Sequence, residues 1–276
     1  MFVFERTSKG VCGIKMRITG DGVRAAFNKL SRVCKVDDFD WRKYHIGYKR
    51  QITDITNEFT LVLSKDDYQI SEGKILLNPE LLPLNPNHKL LYETIYHLNP
   101  KSILEVGVGG GDHIHNMHLL LPEAEFFGVD ISQNQIDLLF CRHPDLKNIC
   151  KLAVADVTKK DTLNTFGKVD LAYTQAVLMH IRRGNRHTQA LRNMFNISNH
   201  IVLMENWTRH NFFDDIIKIS RECDFPWPEL SIYKNDSGEQ ILMILSRKEL
   251  KEFDPLRNNR ELLKYFQKEG DAVLRK

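Results

Sequence analysis

The chain has 276 residues, of which 42% are hydrophobic and 27% charged, enough to bury the core of one large domain or of one domain with a cap. Its longest apolar runs, such as ILMIL at 241–245, are far shorter than the roughly 20 residues needed to cross a bilayer. The first ten residues also lack the apolar core of a signal peptide. We therefore predict a soluble, cytoplasmic protein without a membrane span. The five cysteines never form a CxxC pair, which argues against a disulfide framework or a thiolate zinc site.

The net charge of +3 is unevenly distributed along the chain. Residues 1–50 contain twelve Lys and Arg against five Asp and Glu, a local balance of +7, which leaves −4 for the remainder. Such a segment can meet phosphate groups or an anionic surface, and it can equally be a solvated arm.

Residues 1–85 show no regular alternation of strand and helix, and we interpret them as an N-terminal cap on the substrate side. Within this region the pattern predicts one amphipathic helix at 23–35 and two short strands about a turn at 59–78. The stretch PLNPN, with Pro83 and Pro86, marks the boundary because proline interrupts regular structure.

The region 86–247 has the pattern of a parallel sheet wound with helices. Asn87 is predicted to cap a first helix that Pro100 ends. Short apolar runs then alternate with helix-length amphipathic segments (SILEVG, AEFFGVD, ICKLAVA, VDLAYTQ and HIVLME are the strand candidates). The last two strands are separated only by a turn at 236–238, so they should form an antiparallel hairpin. A charged helical extension follows at 248–276.

A glycine cluster interrupts the sequence SILEVGVGGGDHIH at 102–115, directly after the first strand candidate of that alternating pattern. Its four glycines allow backbone conformations that side chains forbid, and they let a ligand approach the main chain: Gly107, Gly109, Gly110 and Gly111. The order is ExGxGxG, not the GxGxxG of dinucleotide-binding turns. Asp112 follows directly, and a carboxylate there suits an ammonium or sulfonium ligand better than a pyrophosphate.

Acidic residues end the next two strand candidates. Asp130 lies 19 residues past Gly111, where a carboxylate can accept hydrogen bonds from both hydroxyls of a ribose. Asp156 follows the third strand, where it could meet an adenine amino group with Val157 packed against the ring. Because open α/β sheets bind ligands at the carboxyl ends of their strands, these residues should share one site.

The segment from 102 to 246 resembles the class I S-adenosylmethionine-dependent methyltransferases. LEVGVGGG is similar to their first motif, FFGVDIS to the acidic second, VADVT to the third and VDLAYTQAVLMHI to the fourth. The resemblance implies a Rossmann-like α/β fold with a seven-stranded, mostly parallel sheet and a terminal antiparallel hairpin. It also implies S-adenosylmethionine as the cofactor. The residues it assigns to the cofactor are Glu105, Gly107, Val108, Gly109 and Gly111 at the methionine end, Asp130 and Ile131 at the ribose, Asp156 and Val157 at the adenine, and Gln175 near the methyl group.

The segment after the glycines is rich in histidine, which the family does not require. His113, His115 and His118 could suggest a metal site. On a helix, however, His113 and His115 point to different faces, and no fourth ligand is evident. We therefore predict exposed helix histidines and no metal.

Two residues are candidates for catalysis. His180 follows the fourth strand, and its ordinary pKa suits proton transfer near neutrality. It could equally be a structural histidine that shapes the pocket. Glu205 ends the fifth strand and is either a second catalytic group or the cap of a helix.

The acceptor site is predicted from side chains that follow the fourth and fifth strand candidates, close to the predicted cofactor site. Arg182, Arg183 and Arg186 in RRGNRH would suit an anionic acceptor, or they could belong to a solvated loop. Trp207, beside Glu205, could touch the substrate. Aromatic residues in the stretch WRKYHIGY at 41–48 could stack on an acceptor ring or belong to the core.

The predicted function is methyl transfer to a small molecule or glycan, most plausibly to a hydroxyl oxygen, by a monomer or a homodimer. Aminopropyl transfer, a nicotinamide-dependent dehydrogenase and a catalytically silent partner subunit are alternatives. The fourth motif lacks the Asn/Asp-Pro-Pro-aromatic set of base amino methylation, so a nucleic-acid base is disfavoured. RNA ribose and protein acceptors stay open.

Overall fold

A computed structural model describes residues 60–81, 84–181, 184–206, 210, 212–223, 229–233 and 240–247. The predicted helix at 23–35, the cap aromatic residues at 41–48 and the extension at 248–276 lie outside the described residues. The same holds for the turn at 236–238 and for Arg182, Arg183 and Trp207. No helix in the described part of the chain is long and apolar enough to cross a membrane.

A two-stranded antiparallel hairpin lies within the predicted stretch at 59–78. Its strands are β1 (Tyr68–Ser71) and β2 (Lys74–Leu77). The two residues between them, Glu72 and Gly73, both have positive φ angles of 49° and 72°. Consecutive positive φ angles match the right-handed twist of the flanking strands, so this tight turn sets the hairpin register.

The first long helix, α1, begins two residues earlier than predicted. It spans Pro86–Leu98, and its N-cap is Asn85, whose side chain accepts a hydrogen bond from the backbone N–H of Asn87. Pro86 is therefore the first helical residue, a position where its missing N–H costs nothing. The predicted cap at Asn87 was wrong because the asparagine before the proline makes that bond.

The central sheet contains seven described strands in the order β5–β4–β3–β6–β7–β9–β8. Their bounds are β3 Ser102–Val106, β4 Glu125–Asp130, β5 Cys150–Val154, β6 Val169–Gln175, β7 Ser198–Asn206, β8 Glu229–Tyr233 and β9 Gln240–Ser246. The helices are α2 Asp112–Leu120, α3 Gln133–Arg142, α4 Arg186–Ile197 and α5 Phe212–Cys223. Strands β3 to β7 pair in parallel, whereas β9 runs antiparallel to both β7 and β8. The predicted mostly parallel α/β sheet with a terminal antiparallel hairpin is confirmed.

Apolar side chains cover both faces of this sheet. Ile103 belongs to the core beneath α1, α2 and α3, whereas its neighbour Leu104 belongs to the core beneath α4 and α5. Successive side chains of a strand point to opposite faces, so a strand buried on both faces must be continuously apolar. This explains why the strands were recognisable as short apolar runs.

The parallel pairing brings the functional positions to one edge of the sheet. Strands β3 to β7 all end there, and β9, which runs the other way, begins there: Gln240 lies opposite Asn206 at the end of β7. Ligands of open α/β sheets bind at this edge.

Candidate active site

A cleft of about 560 Å³ lies at the carboxyl ends of the parallel strands. It is lined by the glycine turn after β3, the residues that follow β4 and β5, the loop after β6, the first turn of α1 and the start of β9. The elements predicted to carry the site therefore surround one cavity.

The glycine turn reverses the chain between β3 and α2. Gly107 has a φ of 84°, and a Cβ atom there would lie 2.4 Å from the Val177 side chain. Gly109 also has a positive φ of 49°, but a Cβ at Gly109 would meet no atom within 4 Å. The first glycine is thus required by packing within the protein, whereas the second faces open space where a ligand can approach the backbone.

Asp130 at the end of β4 holds this turn. One carboxylate oxygen accepts a hydrogen bond from the Gly109 N–H at 3.1 Å, and the other accepts from the Ser132 N–H at 2.9 Å. Burial raises the pKa of the carboxyl above its ordinary value, against the lowering effect of those backbone bonds. Its neighbour Ile131 is 53% exposed and lines the cleft.

Asp156, after β5, belongs to a polar cluster. Its Oδ1 accepts hydrogen bonds from the Thr158 N–H at 2.9 Å and from the Thr158 hydroxyl at 2.6 Å. The Arg186 guanidinium lies 3.5 Å from its other oxygen and donates to the Thr158 hydroxyl at 2.8 Å. Val157 packs against the core and also lines the cleft. This end of the cavity therefore combines an acidic group with an apolar surface.

Two acidic residues next to the glycines are enclosed by the protein. Glu105 is 1% exposed and pairs across the sheet with Tyr173, and burial raises the pKa of its carboxyl well above the ordinary value. Asp112, predicted to favour a cationic ligand, forms an ion pair with Arg142 at 2.6 and 2.7 Å. His143 Nε2 lies 2.7 Å from the same carboxylate. The charge of Asp112 is thus compensated by α3, because that helix packs against the start of α2.

The two predicted catalytic residues lie on the two sides of one short turn. His180 ends a 3-10 helix, Leu178–His180, and lines the cleft. Glu205 is fully buried behind this turn. Its carboxylate accepts hydrogen bonds from the backbone N–H groups of Val177, Leu178 and Met179 at 3.0, 3.0 and 3.1 Å. The geometry matches the capping alternative, since Glu205 does not line the cleft.

The histidines of α2 have different surroundings from those predicted. The ring of His113 is bonded through Nδ1 to the Tyr92 hydroxyl at 2.8 Å and packs edge-on against His88. His115 stacks on His143, and its Nε2 lies 3.0 Å from the Leu63 carbonyl oxygen. His113 and His115 do point to different faces. His113, however, is a packed residue of the cleft wall and not an exposed histidine, because α1 covers that face of α2.

Residues 103–200 match a family model described as "Methyltransferase domain". No curated protein is similar enough to count as a match. Among solved structures, a proposed RNA methyltransferase from Pyrococcus horikoshii shares 18% identity over 60% of this chain and 83% of that chain, with a TM-score of 0.45. Magnesium protoporphyrin IX methyltransferase from Synechocystis PCC 6803, with bound SAM, shares 15% identity over 59% of this chain and 80% of that chain, with a TM-score of 0.45. A proposed caffeoyl-CoA O-methyltransferase from Staphylococcus aureus shares 11% identity over 60% of this chain and 85% of that chain, with a TM-score of 0.42.

Residues 103–200 of this chain carry a methyltransferase domain. The resemblance drawn from the four motifs is confirmed. The cofactor of this methyltransferase is S-adenosylmethionine, and the cleft residues fit it: an open glycine backbone stands beside Asp130, and an apolar surface at Ile131 and Val157 suits an adenine ring.

Nine of the ten residues predicted to bind the cofactor line the methyltransferase cleft: Gly107, Val108, Gly109, Gly111, Asp130, Ile131, Asp156, Val157 and Gln175. Glu105 is the exception: it is 1% exposed and lies beside Tyr173 of the neighbouring strand, so its side chain is enclosed by the protein. Among the described residues, no group of three or more His, Cys, Asp or Glu side chains is arranged to hold a metal ion.

Several cleft residues were not found from the sequence, and three of them are polar side chains on one wall of the cleft. His88 comes from the first turn of α1, Gln240 from the start of β9, and Thr60 from the segment that precedes the hairpin. A polar residue in the first turn of the helix preceding β3 was a signal for His88. Gln240 and Thr60 carry no local pattern, since only the tertiary arrangement brings them to the cleft.

Proposed function

We propose that this methyltransferase transfers the methyl group to a hydroxyl oxygen of a small-molecule or glycan acceptor, with His180 as the general base. The observation that carries the proposal is the position of His180. It lines the same cleft as the glycine turn, on a loop whose other side is held by Glu205.

When bound, S-adenosylmethionine supplies a sulfonium methyl group that an acceptor oxygen attacks in line, while the sulfur leaves with the electrons of the broken bond. His180 accepts the proton that the acceptor hydroxyl loses, so that a neutral ether and S-adenosylhomocysteine form. Much of the rate enhancement in such a displacement comes from alignment and from exclusion of water. A loop fixed by three backbone hydrogen bonds suits that demand.

Glu205 acts in this proposal as a positioning residue. Its two oxygens hold three successive N–H groups directly before His180, so the imidazole is presented from a rigid turn. A carboxylate that accepts several backbone hydrogen bonds is tolerated in a buried position because those bonds replace water.

The experiment starts with calorimetric titration of the purified protein with S-adenosylmethionine, S-adenosylhomocysteine and NAD. Methyl transfer from tritium-labelled S-adenosylmethionine is then measured with matched hydroxyl and amino acceptors, such as glucose and glucosamine. We expect label on the hydroxyl compounds. His180→Ala should leave cofactor affinity within about twofold and reduce turnover by roughly 10²-fold or more.

A matched variant, His118→Ala, controls for the loss of an imidazole. His118 packs edge-on against Phe126 on the outer part of α2 and does not line the cleft. Full turnover of His180→Ala would overturn the assigned base, and label found only on amino groups would overturn the acceptor atom.

A further inference from the structure

A continuous row of uncharged polar side chains crosses one wall of the cleft. It runs Gln240, Gln175, His88, His113 and Thr60, and we call it the polar row. Gln175 Nε2 lies 3.5 Å from Gln240 Oε1 and 3.4 Å from His88 Nε2. The His88 and His113 rings meet edge to face with centroids 4.8 Å apart, and His113 Nε2 lies 3.5 Å from the Thr60 hydroxyl.

Four of the five members of the polar row are not assigned to the cofactor, and the fifth, Gln175, was expected near the methyl group, where the two sets meet. The glycine turn, Asp130 and Asp156 follow β3, β4 and β5, which form one half of the sheet. Gln175 and Gln240 belong to β6 and β9, on the other half, and α1 with His88 packs against β7 and β9. The cleft thus has a half suited to the cofactor and a second half that the cofactor motifs reach only at Gln175.

The polar row offers hydrogen bonds without net charge. Burial lowers the pKa of His88 to about 4 and lowers the pKa of His113 well below its ordinary value, so both rings are neutral near pH 7. Among the described residues that line the cleft, the charged side chains are Asp112, Asp130, Asp156 and Arg186. The three acids lie at or after the ends of strands of the cofactor half, and Arg186, at the start of α4, lies 3.5 Å from Asp156.

The tautomer of His88 follows from its neighbour. Gln175 Nε2 can only donate, so the facing Nε2 of His88 accepts and the proton of the neutral ring is on Nδ1. His88 is 6% exposed, and its Nδ1 has no hydrogen-bond partner within the described part of the chain. A buried donor without a partner is costly, and a hydrogen-bond acceptor that displaces the side chains now covering Nδ1 would satisfy it.

We propose that the polar row is the acceptor subsite of this methyltransferase and takes a neutral, hydroxyl-rich molecule such as a sugar, with His88 donating from Nδ1 to an acceptor oxygen. Amide and neutral imidazole groups both donate and accept, as hydroxyl groups do, whereas a phosphate or carboxylate would call for a cation. The assignment rests on the proposed function, because it takes the second half of the cleft as the place of the acceptor.

The test uses the full chain loaded with S-adenosylhomocysteine, which cannot donate a methyl group. Binding of glucose, mannose and galactose, and of the phosphate monoester of each, is measured by saturation-transfer NMR. We expect at least one free hexose to bind and its phosphate ester to bind more weakly. His88→Ala should weaken hexose binding by at least about fivefold, as expected for one lost hydrogen bond.

Gln240→Ala, at one end of the polar row, should also weaken hexose binding. This second variant tests the proposal if His88→Ala does not fold. His118→Ala should bind hexoses as the wild type does. Calorimetry with S-adenosylhomocysteine should give unchanged affinity in all three variants.

Three results would each overturn the proposal. They are tighter binding of the phosphate esters than of the hexoses, no binding of any free hexose, and hexose binding that is undiminished in both His88→Ala and Gln240→Ala. Hexose binding without transfer of labelled methyl to oxygen would leave the subsite in place and refute the proposed hydroxyl methylation. The two ideas therefore fail separately.

Discussion

Asp130 and Gly109 are joined by a hydrogen bond of 3.1 Å between the aspartate carboxylate and the glycine N–H. The acidic end of β4 therefore fixes the glycine turn that follows β3. A residue predicted only as a ligand for ribose also sets the backbone on which the cofactor would lie.

Asp130→Asn is expected to weaken S-adenosylmethionine binding by about 10- to 100-fold, the range for losing one or two hydrogen bonds to a charged group. Calorimetric titration measures the affinity. Asp137→Asn, an exposed change on α3, is the matched control and should bind like the wild type. Equal affinities for the two variants would show that the ribose assignment is misplaced.

Glu205→Ala is expected to lower the free energy of unfolding by about 2–4 kcal/mol, because three buried backbone N–H groups lose their acceptor. It should also lower kcat more than it changes KM for the cofactor, since the loop with His180 loses its support. Urea unfolding measures the first effect, and steady-state kinetics with an acceptor identified by the labelling experiment measure the second. A stable, fully active variant would contradict the positioning role.

Glu105→Gln is expected to flatten the dependence of stability on pH. Burial raises the folded-state pKa of Glu105 well above the ordinary value of 4.5, so above that value the folded state binds more protons than the unfolded state. The wild type therefore loses stability as the pH rises from about 4.5 toward the raised pKa. The glutamine variant lacks this loss.

Urea unfolding of wild type and Glu105→Gln at several pH values from 5 to 8 tests this relation. The unfolding free energy of the variant minus that of the wild type should increase as the pH rises. A constant difference across the range would mean that folding does not raise the pKa of Glu105.

Arg142→Met is expected to destabilise the fold by about 3 kcal/mol, because it leaves the buried Asp112 carboxylate without its main cationic partner. Lys160→Met removes a strongly exposed lysine that lies 4.0 Å from Asp161, and its effect should be clearly smaller. Thermal and urea unfolding measure both. Equal effects would show that the Asp112–Arg142 pair contributes no more than a surface contact.

Much of the fold could be predicted because the strands are buried on both faces and so appear as continuous apolar runs. Asp130 and Asp156 could be placed at one edge because parallel strands end together. The start of α1 was predicted two residues too late, since both Asn85 and Asn87 are good caps and only the backbone geometry selects between them. His113 was predicted as exposed because no local pattern shows that α1, the preceding helix, packs over that face of α2.

The sequence by itself determined the order of strands and helices, the glycine turn, the acidic strand ends and, through its four motifs, the methyltransferase family. These features depend on local pattern and spacing. Only the tertiary structure decided that Glu205 supports the His180 loop, that Arg142 and His143 compensate Asp112, and that Gln240, Gln175, His88, His113 and Thr60 form one row. Such contacts join side chains far apart along the chain, and packing around the sheet, which no local pattern encodes, brings them together.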